Sequence, residues 1–373
     1  MKTHLAAALL AAFVLVPTRA TRAAGLEIVL PAPGQAFYQD QEVACRARWS
    51  GEPPAAAAEF RYVWSSDVDG RLAEGLETVL RGLSYRTHRL RVEALDGDSV
   101  LAGEEVPLVI AASPVQFTLS ARNDWEGEFS PRGTMVAFTS FRSGDPEIWT
   151  ASSNGQGTER ITYQGGWGPS WSADGNRLVF WSERAGSRDI WLVNLEDDPK
   201  VAEPLVSESC PEWAPVFSPL DSRVVYIAKQ QKSLSLKLVD ADDPERQTVE
   251  VVGPEYYPMF PRWLPDASGV IFTSFADSLP VVCQVSLDSG QVARITGPGA
   301  EDADISPDGK WLVMVRDRDL WLHRMSDSLE RPLTLEKAGA MCPRFSPNGK
   351  LVIYGSNRSG NYDLWLLSLP EDL

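Results

Sequence analysis

Histidine is almost missing from this chain. Of three in 373 residues, His4 lies in a leader-like N-terminus, which leaves His88 and His323. His88 falls on the apolar face of a strand-like stretch, and His323 follows Trp321 on another. Two scattered imidazoles do not make a histidine ligand set. The chain also lacks a Gly-x-Ser-x-Gly elbow, a His-Glu-x-x-His pair and a phosphate-binding glycine loop. With those machineries excluded, we expect no catalytic residue, no bound metal and no cofactor.

Cysteine and basic charge are scarce as well. Cys45, Cys210, Cys283 and Cys342 show no Cys-x-x-Cys and no metal-ligand spacing, so they form no disulfide framework. Thirty-five Lys and Arg face 51 Asp and Glu, a net charge of −16. Removing residues 1–24 takes away Lys2, Arg19 and Arg22 and leaves 32 against 51, or −19. That balance argues against nucleic acid and against anionic membrane surfaces. Only one long apolar run exists, Leu5–Val16, preceded by Lys2 and followed by Pro17 and small residues. It reads as an export signal over residues 1–24, cleaved after Ala20 or near Ala23. It is too short for a membrane span, and no cysteine near the cut offers a lipid anchor. The expected product is periplasmic or secreted, monomeric, and without an integral membrane segment.

What the chain has instead is a phrase repeated six times: Phe129-Ser-Pro-Arg-Gly133, Trp171-Ser-Ala-Asp-Gly175, Phe217-Ser-Pro-Leu-Asp221, Trp263-Leu-Pro-Asp-Ala267, Ile305-Ser-Pro-Asp-Gly309 and Phe345-Ser-Pro-Asn-Gly349. The leading hydrophobes are 42, 46, 46, 42 and 40 residues apart. Serine bonds the turn backbone, proline presets φ, and glycine accepts the positive φ at the exit. Apolar residues alternate on either side, so each phrase is a hairpin turn. A period of this length in an all-strand pattern predicts propeller blades, here six.

A second signature recurs three times. Ser140-Phe-Arg142-Ser-Gly leads to Glu147-Ile-Trp149, Ser182-Glu-Arg184-Ala-Gly to Asp189-Ile-Trp191, and Ser356-Asn-Arg358-Ser-Gly to Asp363-Leu-Trp365. Short closing strands follow, such as Glu159-Arg-Ile-Thr162 and Ala293-Arg-Ile-Thr296. Together these residues resemble the propeller repeat of TolB and its WD40-like relatives. The resemblance covers residues 116–373. It implies a six-bladed fold and a binding or scaffolding role at the cell envelope. The same repeat also decorates peptidases and lyases, but no stretch is left over for a hydrolase domain.

Residues 25–112 read differently. Phe60, Tyr62 and Trp64 alternate with Arg61 and Val63, and His88, Leu90, Val92 and Ala94 alternate with Arg89, Arg91 and Glu93. This pattern predicts a small β-sandwich of about seven strands. Trp64-Ser-Ser-Asp-Val-Asp-Gly70 with Gly75 and His88 resembles bacterial immunoglobulin-like or PKD-type modules, without their inter-sheet disulfide. Asp67 and Asp69 fit a solvated turn better than a calcium loop. The expected organisation is all-β: a sandwich over 25–112, then a propeller over 115–373. The last repeat ends a strand short, and Val115–Ser120 precedes the first, so that segment is expected to complete the sixth blade and close the ring.

Propeller geometry places two candidate groups. Trp125, Trp167 and Trp213 each lie four residues before a leading hydrophobe, and Tyr256 and Tyr257 stand just ahead of Met259 in the same register. With loop residues Arg142, Arg184 and Arg358 they form a candidate partner-binding rim, aromatics and arginine being the residues that most often carry interface energy. The competing reading is structural, with the aromatics wedged between blades and each arginine paired to the acid a few residues later. One residue before the hydrophobes, Glu128, Arg262, Asp304 and Arg344 alternate in sign around the axis. They predict a network of axial ion pairs or a charged channel for an ion or a peptide end. A protein partner is the expected ligand, and a glycan the alternative.

Overall fold

The computed structural model describes residues 25–84, 86–335 and 337–369. The proposed export signal lies outside them. Among the described residues no helix is long and apolar enough to cross a membrane, and the only helical turns are two short 3-10 segments. The chain divides into two compact units. The first holds the described residues up to Gln35 together with Gln41–Val109; the second holds Ala36–Asp40 and everything from Ile110.

Among the described residues eight strands precede the propeller, in two antiparallel sheets. One sheet orders Leu26–Leu30, Val43–Trp49 and Glu77–Leu80. The other centres on Thr87–Asp96, flanked by Arg61–Ser66 and Ser99–Ala111. Period-two burial on Val43–Trp49 and Thr87–Asp96 follows from the alternation in their sequence. His88 is buried beside the Ser66 hydroxyl at 3.0 Å and the Ser84 carbonyl at 2.7 Å, so it serves the core. Asp69 accepts from the Ser84 N–H and Asp67 from the Arg89 N–H, which makes these carboxylates turn fasteners.

The second unit is a six-bladed propeller, each blade a four-stranded antiparallel sheet. Blade 1 runs Asp124–Phe129, Met135–Ser140, Glu147–Ser152 and Glu159–Arg160. Blades 2 to 5 repeat that order, and blade 6 takes Met341–Phe345, Leu351–Ser356 and Asp363–Ser368 with Val115–Gln116 as its outer strand. Gln116 pairs with Trp365 and Val115 with Leu366, so the ring is fastened by chain from both ends of the unit. The repeated phrase forms the turn its chemistry demands. In blade 5 the Ser306 hydroxyl accepts from the Trp311 N–H and donates to Asp308, while Gly309 takes φ 71°.

The second signature has a physical reason too. Residues eleven apart in sequence are cross-strand partners: Phe138 with Trp149, Phe180 with Trp191, Tyr354 with Trp365. Each pair makes an aromatic platform, and the loop arginine lies on it. Arg142 is 5.1 Å from both rings, Arg184 is 5.1 and 4.8 Å away, and Arg358 is 5.7 and 4.8 Å away.

Candidate functional site

The axial channel is built by one backbone device used six times. In every first strand the register slips between the fourth and the first residue before the leading hydrophobe. The third residue before that hydrophobe takes a left-handed backbone: Glu126, Gly168, Ala214, Phe260, Asp302 and Cys342, with φ between 45° and 57°. A bulge of this kind re-aims side chains. It adds Glu126 and Asp302 to the axial charges that the sequence had already suggested.

Four carboxylates and two guanidinium groups therefore share the channel. At the turn-side mouth Glu128, Arg262, Asp304 and Arg344 come together around a cavity of about 360 Å³ ringed by Pro131, Pro219, Pro265, Pro307 and Pro347. They do not form the expected chain of ion pairs. The acids instead cap the next blade's backbone. Glu128 accepts from the Trp171 N–H at 3.0 Å and Asp304 from the Phe345 N–H at 2.8 Å. Glu126 accepts from the Gly168 N–H at 2.8 Å and Asp302 from the Cys342 N–H at 2.7 Å. The reason is local: an unpaired strand N–H at each blade junction needs an acceptor, and the neighbouring acid lies nearest to it. Among the described residues, the axial ion pair that forms is Arg344 with Asp302, at 3.4 Å.

Arg262 balances the acids without pairing to one of them. Its Nη1 donates to the Pro261 carbonyl and its buried Nε has no partner. Asp302 is buried, and Glu126, Glu128 and Asp304 are partly so. Burial raises the carboxyls of Glu126, Glu128 and Asp302, and it drives Asp304 to about 7 against the nearby positive charge of Arg262.

The sign of the resulting pH dependence follows. A carboxyl raised on folding adds stability that is complete below its unfolded value near 3.8 and is lost as pH rises through about 7. The melting temperature should therefore fall between pH 5 and 7.5. Asp304→Asn, which keeps a carbonyl for the Phe345 N–H, should flatten that slope and raise the melting temperature at pH 8. Thermal melts across this range check it; parallel curves for the two proteins would contradict it.

The opposite mouth opens into a cleft of about 880 Å³, lined by Trp213, Tyr257, Met259, Phe260 and Phe275 together with Glu183, Arg188, Lys229 and Glu301. Trp213, Met259 and Phe260 also line the channel segment that continues to Arg262. The proposed rim thus separates into parts. Trp213 and Tyr257 reach the cleft. Trp125 and Trp167 do not line it; they belong to an aromatic cluster in which Trp167 stacks on Trp181 at 5.2 Å and meets Phe141 and Trp125 at 5.2 and 5.8 Å. Tyr256 packs edge-on against Phe272.

Arg142, Arg184 and Arg358 turn inward onto their platforms. Nor does the structure pair Arg142 with the acid that follows it. Arg142 bonds Asp124 at 3.1 Å, and Glu147 is taken by Arg160 at 2.7 Å. Arg184 donates to the Ser182 hydroxyl and the Gly165 carbonyl.

Sequence reasoning missed Phe260 and Phe275, whose only sign was position, and also a cluster outside the axis. Glu208, Cys210 and Glu212 lie on the bent segment after blade 2 and gather their ligand atoms within 4.8 Å of one another. Burial and the flanking carboxylates push the Cys210 thiol up to about 12, and burial raises Glu212 to about 7.

Comparison with known proteins agrees with this architecture. Residues 109–258 match the family model of the TolB beta propeller domain. Crystalline TolB from Acinetobacter baumannii superposes with a TM-score of 0.52 at 17% identity, covering 93% of this chain and 97% of that one. The propeller is TolB-like. Hydrazine synthase of Kuenenia stuttgartiensis shares the fold at a TM-score of 0.50 and 13% identity, over 59% of this chain and 39% of that chain. An uncharacterised protein of Agrobacterium fabrum is 30% identical over 117 residues, a stretch that spans 30% of this chain and 38% of the relative.

Proposed function

We propose that this is an exported, non-enzymatic binding protein of the periplasm or cell envelope that holds a segment of a partner protein on one face of its TolB-like propeller. The observation that carries the reading is the cleft. A volume of about 880 Å³ with Trp213, Tyr257, Met259, Phe260 and Phe275 on its wall offers the apolar anchor sites from which protein interfaces draw most of their energy. Arg188, Lys229, Glu183 and Glu301 in the same lining supply charges of both signs. In this reading residues 25–112 form an immunoglobulin-like sandwich that accompanies a propeller over 115–373, and the protein acts as a monomer.

The glycan reading keeps one specific support, because the carboxylates of Glu183 and Glu301 stand in the same cleft as Trp213 and Tyr257. One set of variants separates the two. Tyr257 has φ 46°, a backbone that asparagine tolerates, so Tyr257→Asn should leave the melting temperature within about 2 °C of the parent. The same change, and Trp213→Ala, should remove most capture of the partner from envelope extract by the mature protein. Binding to a soluble sugar array, lost in the same variants, would transfer the cleft to a glycan. Unchanged capture by both variants would remove the cleft from the function.

A further inference from the structure

The segment Glu208-Ser-Cys-Pro-Glu212 leaves the outer strand of blade 2, Ala202–Val206, and enters the first strand of blade 3, Glu212–Phe217. The chain bends at Ser209 and Cys210, and the bend gathers the ligand atoms of Glu208, Cys210 and Glu212 within 4.8 Å of one another. The Cys210 sulfur lies 3.3 Å from Glu212 Oε1 and 3.8 Å from Glu208 Oε2. A tetrahedral zinc ion, with bonds of about 2.3 Å to sulfur and 2.0–2.2 Å to oxygen, holds its ligands roughly 3.5 Å apart. We infer that Glu208, Cys210 and Glu212 form a zinc-binding site at the crossing from blade 2 to blade 3.

A second observation, independent of these spacings, points the same way. Glu212 and Asp189 are wholly buried, yet Glu212 Oε2 and Asp189 Oδ2 have no hydrogen-bond partner. Asp189 lies close enough for its charge to bear on Glu212. Buried carboxylate oxygens left without donors are costly, and each calls for a cation or a donor. The corresponding acid of blade 1, Glu147, is satisfied by Arg160, Thr162 and the Gly165 N–H. Blade 2 keeps the acid as Asp189, whose other oxygen, among the described residues, takes the Ser187 hydroxyl.

One protein cation reaches the cluster. The Lys237 ammonium is 2.7 Å from Glu208 Oε2 and so stands where the ion would act on that carboxylate. Cys210 and Glu208 are partly exposed, which leaves an approach from solvent. The thiol selects zinc over magnesium or calcium, which take oxygen ligands. On binding, the Cys210 thiol loses its proton to solvent as the zinc–sulfur bond forms, with no change of oxidation state.

The test uses the full mature chain stripped with chelator and titrated with zinc chloride, then with cobalt chloride. One zinc per chain is expected, and cobalt should give a thiolate charge-transfer band in the near ultraviolet. Cys210→Ser and Glu212→Gln should each weaken zinc binding roughly 100-fold or more. Lys237→Gln, which removes the competing ammonium, should tighten it. Circular dichroism shows that each variant is folded; should Glu212→Gln not fold, Glu208→Gln provides the carboxylate arm. Cys342→Ser is the control, because that cysteine also neighbours acids, in the channel. No stoichiometric zinc, no cobalt–thiolate band, binding lost in Cys342→Ser but kept in Cys210→Ser, or weaker binding in Lys237→Gln would each overturn the assignment.

Discussion

Replacing Val115–Ser120 with a glycine-serine linker of equal length should lower the melting temperature by roughly 10 °C or more. The segment does three separate jobs. Its backbone pairs Gln116 with Trp365, and the Phe117 N–H bonds the Leu364 carbonyl at 2.8 Å. Its side chains serve Asp363, a buried acid that takes the Gln116 amide at 2.9 Å and the Thr118 hydroxyl at 3.4 Å, while the Leu364 N–H donates to that same hydroxyl. Finally, Phe117 packs against the core shared by blades 6 and 1, which includes Phe138 and Ile353. Phe117 is partly buried, so losing its ring costs part of the roughly 3–5 kcal/mol of a fully buried phenylalanine, and stranding the buried Asp363 carboxylate adds to it. The remaining three strands of blade 6 would expose an unpaired edge, so aggregation should accompany unfolding. Differential scanning calorimetry with light scattering checks both effects. A melting temperature within about 2 °C of the parent would show that contacts other than this strand close the ring.

Trp167→Ala should be the most damaging single substitution on the aromatic face, costing about 3–5 kcal/mol. Trp167 is the centre of its cluster, stacked at 6° between planes on Trp181 of its own blade and in contact with Phe141 and Trp125 of blade 1. Truncation would remove three aromatic contacts and leave a hole at the junction of two blades. Trp213 offers the contrast. It lines the cleft and packs only in part against the core of blades 3 and 4, so Trp213→Ala should cost clearly less stability while costing binding. Chemical denaturation of the two variants side by side is the measurement. Equal losses would mean that both tryptophans are wedges; no loss at Trp167 would mean that the cluster holds nothing together.

The propeller was legible because its determinants are local. A turn phrase states its own geometry, and its period counts the blades. Residues eleven apart already announce a cross-strand pair, as Phe138 and Trp149 do. The site was legible only in part. Glu128, Arg262, Asp304 and Arg344 could be placed on the axis from their register with the turn. Glu126 and Asp302 could not, because strict strand alternation does not include a bulge, and the bulged positions carry Glu, Gly, Ala, Phe, Asp and Cys, which share no chemistry. The loop arginines misled for another reason. A charged residue in a polar loop reads as exposed, and only the assembled blade shows the aromatic surface that draws the guanidinium inward. The cluster at Cys210 escaped notice because its meaning lies in distances between side chains, which alternation along the chain does not give.

The left-handed residue in each first strand has a consequence for how such a ring can diversify. Five of the six are not glycine, at a cost of roughly 1 kcal/mol or more each, yet the backbone is the same in all six. The conformation is imposed by the blade, not requested by the side chain. The ring therefore behaves like a rack of six sockets of fixed geometry around one axis. Exchanging what is plugged into a socket changes the lining of the channel while the frame stays as it was. Descendants of one propeller could come to recognise different ligands by exchanging residues at these positions, without relearning how to fold.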